Sequence, residues 1–244
     1  METEFSRELQ RQVEQAIVSH RFATGDLLTG SDLAEQFDVS IGEILLVLRV
    51  EHRKGLVIEQ ESQMFRVLGL VIPPRDSVFN HTEKLGFKPT SQVREVELEP
   101  ATAIVAQTLE LEKGALVYRF VRTRYVNGEA LANQTNYIPF EVCPGLEQDD
   151  VSHSSFQKLL EEKYCTFTAE FKEEFKYEPA NEQDMKILSL PQDSSVLLVQ
   201  RLAFSGTGYP LVWSNIRIRP DRWQYVSKLW PSAAAVLAKE NSGA

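Results

Sequence analysis

Apolar positions over residues 1–70 recur at helical spacing and then switch to alternation. Phe5, Leu9, Val13 and the Ala16/Ile17 pair share one face of a helix expected from about Phe5 to His20. Gly25 and Asp26 interrupt it, and Leu33, Ala34 and Phe37 give a short second helix an apolar face before a turn at Asp38-Val39. Ser40-Ile41-Gly42-Glu43 has the S-x-x-E form of a capping box: the serine hydroxyl meets a free backbone N–H, and the glutamate reaches back to the cap residue's own N–H. Ile44, Val47 and Leu48 continue a buried stripe from this cap, and Gly55 supplies a left-handed stop. "LVIEQ" and "MFRVLGL" alternate about "ESQ" as a hairpin. Three helices followed by a hairpin predict a winged helix-turn-helix over 1–70.

"VIPPRDS", Val71–Ser77, follows as a linker in which Pro73-Pro74 prevents a helix from running through. Over 78–244 strands and helices mix. Strands are expected at Val93–Leu98, Leu116–Tyr125, Glu129–Ile138, Thr166–Tyr177, Val196–Phe204 and Leu211–Ile218, and helices at Ala101–Leu109, Ser155–Lys163 and Asn181–Leu188. Asn127-Gly128 is a two-residue hairpin turn. "LELEKGALVYRFVRTRYVNGEALANQTNYI" returns about 79 residues later as "LSLPQDSSVLLVQRLAFSGTGYPLVWSNIRI". Two helix-plus-hairpin units predict one pseudo-symmetric antiparallel sheet with helices on a face, an α+β architecture.

Charge changes the picture. The chain carries a net charge of −9. Residues 1–70 hold seven Lys and Arg against twelve Asp and Glu, a net −5, so the part shaped like a DNA reader is the more acidic per residue. No Lys or Arg falls between Arg21 and Arg49. No run of 18 apolar residues occurs, and "METEFSRELQ" lacks the apolar core of a signal peptide, so a cytoplasmic protein without a membrane span is expected. Cys143 and Cys165 form no CxxC pair and are expected as reduced thiols. His20, His52, His81 and His153 have no metal-ligand spacing, and neither GxSxG nor a phosphate-cradling glycine loop is present. The chain is therefore expected to have no catalytic residues, metal or cofactor.

"GDLLTGSDLAEQFDVSIGEILLVLRVEHRKGLV" resembles the winged helix of GntR-type bacterial regulators. "RTRYVNGEALANQTNYIP", "SSFQKLLEEKY" and "GYPLVWSNIRIRPDRW", in this order, resemble the UTRA effector domain of the HutC subgroup, which shares the fold of chorismate lyase. The resemblance implies a dimeric transcription regulator, a repressor in the first instance, whose hold on operator DNA responds to a small metabolite. It implies that Arg122, Arg124 and Ser155 hold the metabolite's phosphate or carboxylate, with Gln134, Gln157 and Val212 at positions where the family commonly has Glu, Tyr and Glu. Independently of the family, Arg122 and Arg124 sit two apart on a strand and present two guanidiniums to one face. Ser155, with His153 and Ser154 beside it, opens a helix whose free N–H groups favour an anion. The plain alternatives are a salt-bridged strand face and an ordinary helix cap.

The departures from the family lie in the DNA-reading part. Where the family has Leu-Pro-Ser-Glu-Arg before the second helix, this chain has Leu27-Leu28-Thr29-Gly30-Ser31; where the recognition helix opens Ser-Arg-Thr-Thr-Val-Arg, it has Ser40-Ile41-Gly42-Glu43-Ile44-Leu45; and its wing is Glu59-Gln60-Glu61-Ser62-Gln63. The expected DNA contacts are Thr29, Ser31, Ser40, Ile41, Gly42 and Glu43, with the cationic Arg49, Arg53 and Lys54 late in the helix. The alternative is a degenerate winged helix in which Ile41, Leu45 and Leu46 meet another protein.

Overall fold

The computed structural model describes residues 2–61, 63–68, 88–149, 151, 156–219 and 221, with side chains from residue 7 onward. The linker Val71–Ser77 lies outside them.

Helix α1 (Glu2–Val18) is followed by a short strand β1 (Leu27–Thr29), helices α2 (Gly30–Phe37) and α3 (Ile41–Lys54), and the hairpin β2 (Val57–Glu61) and β3 (Met64–Val67). The three strands form a small sheet in the order β1-β3-β2. Strand β1 is not announced by the hydrophobic pattern, because three residues are too few to show a period. The helical stripes converge as expected: Leu9, Val13, Ile17, Leu33, Ile44, Val47, Leu48, Leu56, Val57 and Phe65 share one core. Each fully buried aliphatic side chain contributes about 1.5–3 kcal/mol. The capping box closes in full. Glu43 N–H donates to Ser40 Oγ at 3.2 Å, and Ser40 N–H donates to Glu43 Oε2 at 2.9 Å. Asp38 takes the left-handed conformation (φ 54°) that ends α2, and Gly55 takes it (φ 81°) to end α3.

The second part is one six-stranded antiparallel sheet with the order β4-β5-β6-β9-β8-β7. Its strands are β4 (Pro89–Pro100), β5 (Leu116–Val126), β6 (Glu129–Pro139), β7 (Glu170–Pro179), β8 (Ser195–Phe204) and β9 (Pro210–Ile218). The helices are α4 (Ala103–Thr108), α5 (Phe156–Tyr164) and α6 (Glu182–Leu188). The internal echo is a symmetry of the fold: β4-α4-β5-β6 and β7-α6-β8-β9 meet along β6 and β9. Each half's first helix packs on the other half's last strand, α4 on β9 and α6 on β6. Val117, Val105, Leu109 and Trp213 form a core on that face, which places Trp213 in the interior. The helices are not confined to one side. Phe156 and Leu160 of α5 cover Tyr118, Phe120 and Val212 on the opposite face. Asn127 (φ 52°) and Gly128 (φ 84°) make the β5–β6 turn with the two positive φ angles a type I′ hairpin requires.

Cutting the α3 cap tests the first unit. Ser40→Ala is expected to destabilise the chain by about 1 kcal/mol, a loss of about 2–4 °C in Tm by calorimetry, with the hairpin and effector sheet unaffected.

Candidate functional site

Alternation on β5 sets Tyr118, Phe120, Arg122 and Arg124 on the face that α5 covers, and pairing with β6 puts Gln134 directly opposite Arg122. Both guanidiniums converge on one oxygen: Arg122 Nε and Arg124 Nε each donate to Gln134 Oε1 at 3.3 Å. Gln134 Nε2 donates to Asn136 Oδ1 at 2.8 Å, and Ser214 Oγ of β9 donates to the same oxygen at 2.7 Å. Arg124 Nη1 also donates to Ser91 Oγ on β4 at 2.6 Å. A rail of neutral groups therefore aims both guanidiniums, and among the described residues it gives Arg122 no counter-charge.

Arg122 is the more exposed to this imbalance in energy and the less exposed to water. It is 4% accessible, and its Nη1 is buried without a hydrogen-bond partner among the described residues. Its guanidinium carbon lies 5.2 Å from the Phe120 ring centre and 5.7 Å from that of Phe156. These ring faces offset part of the desolvation, by about 1–2 kcal/mol. Burial pushes the Arg122 pKa down to about 9. Arg124 is held well below its ordinary range by burial first and by the neighbouring Arg122 second. A carboxylate or phosphate bridging the two would relieve both effects at once.

The symmetry supplies a comparison inside the same molecule. Arg201 on β8 is the repeat counterpart of Arg122, yet it is ion-paired: its Nε donates to Glu173 Oε1 of β7 at 2.6 Å, and its Nη2 contacts the same oxygen. The residue opposite Arg122 on β4 is Val93. The one half carries its own counter-charge at this position, and the other has an aliphatic side chain there.

Of the other expected site residues, Val212 is buried in the cluster that holds Phe120 and Phe156. Gln157 sits on α5 and donates along its own helix to Glu161 at 3.0 Å. His153, Ser154 and Ser155 lie outside the described residues. Sequence reasoning did not single out Ser91, Asn136, Ser214, Phe120 or Phe156. The repeat offers a signal for Ser214, which occupies the position of Gln134 in the second half.

The expected DNA contacts divide sharply. Ile41 (45% accessible), Gly42, Glu43 and Arg49 are exposed on α3, and Leu46 is 62% accessible. Ser40 and Glu43 are committed to the cap, and Thr29 Oγ1 accepts from Asp32 N–H at 3.1 Å as the cap of α2 with exposed Ser31 beside it. The expectation for Lys54 fails. Its ammonium is 0% accessible and ion-paired to Glu14 of α1, with buried Glu51 close by, so it stabilises the helix packing and cannot reach a phosphate. Its spacing after Arg53 gave no sign of this, because one residue turns a helix by about 100°. Arg53 is occupied as well, its Nε 2.8 Å from Glu141 Oε1 in the turn after β6. Among the described residues, no cluster of His, Cys, Asp or Glu could hold a metal ion, and no helix is long and apolar enough to cross a membrane.

Comparison with known proteins agrees with this architecture. The UTRA domain model matches residues 84–224. The chain is 29% identical over 140 residues to the HTH-type transcriptional regulator GmuR of Bacillus subtilis, a match covering 57% of this chain and 59% of that protein. It is 25% identical over 231 residues to the uncharacterized HTH-type transcriptional regulator YydK of the same species, covering 90% and 95%. The crystal structure of PhnF from Mycobacterium smegmatis superposes with a TM-score of 0.57 at 16% identity, over 88% of this chain and 95% of that one. From the matched sheet, its repeat and the winged helix that precedes it, the chain belongs to the UTRA-domain family, alongside the GntR-type helix-turn-helix regulators.

Proposed function

We propose that the chain is a ligand-responsive transcription regulator of the repressor kind, binding operator DNA through its winged helix under the control of a small metabolite bearing a phosphate or carboxylate. The observation that carries this reading is the buried Arg122 guanidinium, which has a cradle and no counter-charge among the described residues. Arg122, Arg124 and Gln134 form the anion end of the site, with Ser155 and His153 as further donors and Gln157 and Val212 toward the rest of the ligand. The chain divides into a winged helix-turn-helix at 1–70, a linker at 71–77 and a UTRA effector and dimerisation domain at 78–244. It works in the cytoplasm as a homodimer without cofactor or catalysis. The ligand acts by binding the DNA-free and DNA-bound arrangements unequally. A second reading has the exposed Ile41 and Leu46 and the acidic wing meeting a protein rather than DNA.

Gel shifts with the DNA upstream of its own coding sequence test the first reading against the second. With Lys54 buried and Arg49 the exposed cation of α3, a dimer is expected to give a shallow salt dependence, with log K against log salt sloping at roughly −2 to −4. Equal affinity for random duplex at low salt would transfer the assignment to the protein-contact reading.

The anion end has its own test, in thermal shifts against phosphate- and carboxylate-bearing metabolites. Arg122→Ala is expected to weaken the stabilising metabolite by roughly 2–5 kcal/mol. For the unaltered chain the sign of the pH dependence follows from the lowered Arg122 pKa of about 9. The anion binds the protonated guanidinium, so affinity falls as pH rises through that value, by about tenfold per pH unit once Arg122 is neutral. An affinity that stays level through pH 10 (roughly one unit past that pKa) would remove Arg122 from the site.

A further inference from the structure

We propose that the end of α3 is held by an autoinhibitory latch on the effector sheet, so that the docked chain withholds from DNA the Arg53 of its own recognition helix. The proposal rests on the DNA-binding reading above and adds where the control is exerted.

The latch is a seam of named contacts. Thr207 Oγ1, in the turn between β8 and β9, donates to His52 O at 2.6 Å, and Ser205 Oγ lies 2.9 Å from the same hydroxyl. The His52 ring meets the Tyr209 ring edge-on at 5.2 Å, and the Arg53 guanidinium carbon lies 5.4 Å from the centre of that tyrosine. Arg53 is paired with Glu141, whose backbone oxygen also accepts from Gln10 Nε2 of α1 at 3.3 Å. Gly55, which ends α3, approaches so closely that a Cβ there would fall 2.9 Å from Gly206 N. Cys165 and Phe167, just before β7, pack against the winged-helix core.

Three physical consequences follow. An arginine whose guanidinium faces Glu141 and Tyr209 cannot also neutralise a phosphate, so binding DNA through Arg53 requires the seam to open. The seam is imperfect, because Arg53 Nη1 and Arg7 Nε are buried there without hydrogen-bond partners among the described residues. Unpaired buried donors make a contact that a modest difference in ligand affinity can release. Finally, the seam is wired to the anion site through the backbone. Strand β6 carries Gln134 and Asn136 and runs straight into the Phe140–Val142 turn that holds Glu141, and β9 carries Ser214 and emerges from the Thr207 turn. An anion that pulls on the Arg122–Gln134–Asn136–Ser214 rail moves the two segments that grip α3.

The test uses the full chain with Glu141→Gln and Thr207→Val combined, neither residue being part of the anion rail or the exposed face of α3. Hydrogen exchange without DNA should rise at residues 52–57 and 203–210 only. Affinity for a duplex carrying its own upstream region should rise roughly tenfold at about 100 mM salt. Tyr209→Leu, which removes the ring under Arg53 by a different route, should move both readouts in the same direction. Faster exchange with unchanged DNA affinity overturns the latch, since the contact then withholds nothing. Unchanged exchange in both variants overturns it as well, since the seam then does not depend on these residues. Faster exchange with no binding of any duplex by altered or unaltered chain overturns the DNA-binding reading and the latch with it.

Discussion

The second half of the molecule is arranged around one unbalanced charge. A guanidinium taken out of water costs several kcal/mol unless a counter-ion and hydrogen bonds replace the lost hydration. At Arg201 the chain supplies the counter-ion itself, as Glu173. At Arg122, the symmetric position, it supplies Gln134, whose amide fixes the direction of two guanidiniums and leaves Arg122 without a counter-charge among the described residues. The aromatic faces of Phe120 and Phe156 and the Asn136–Ser214 rail keep that arrangement rigid. Under the reading proposed above, the site is preorganised for an anion, because the cost of desolvating the cations is met in folding, before any ligand arrives.

The same logic separates packing from contact chemistry in the winged helix. Ile44, Val47 and Leu48 define how α3 sits on α1 and α2, and they keep that role whatever its outer face carries. The outer face is Ile41, Gly42, Leu46 and Arg49. Glu43 is held in the capping box, which draws its pKa below the usual carboxylate range through the Ser40 hydroxyl and backbone N–H. A preserved helix-turn-helix outline therefore says little about how much positive charge is offered to DNA. Here Lys54 belongs to a buried ion pair with Glu14, and Arg53 to a contact with the effector sheet.

Much of this was legible in the sequence, for identifiable reasons. The capping box, the left-handed Gly55 and the Asn127-Gly128 turn are local rules that act within a few residues, and each held. The repeat predicted the pseudo-symmetric sheet because a duplicated strand pattern can bury its faces in only a few ways. The shared face of Arg122 and Arg124 was legible from a period of two. Lys54 was misjudged because side-chain direction around a helix depends on where α1 lies. The pairing of Arg53 with Glu141 was not foreseen because Glu141 is distant in sequence. The Asn136–Ser214 bond was not foreseen because it joins strands from opposite halves, although the repeat sets Ser214 at the position of Gln134.

The uncompensated charge at Arg122 is most directly tested by its twin. Chemical denaturation of Arg122→Met and Arg201→Met, each without ligand, measures the two positions in one fold. Arg122→Met should stabilise the chain by about 1–4 kcal/mol, because it replaces an unpaired buried charge with an apolar side chain of similar length. Arg201→Met should destabilise it by about 1–3 kcal/mol, a value discounted because that pair is partly exposed, since Glu173 loses the Arg201 contact. If Arg122→Met instead destabilises the chain as much as Arg201→Met does, Arg122 has its counter-charge within the protein, and the account of an anion-seeking site is wrong.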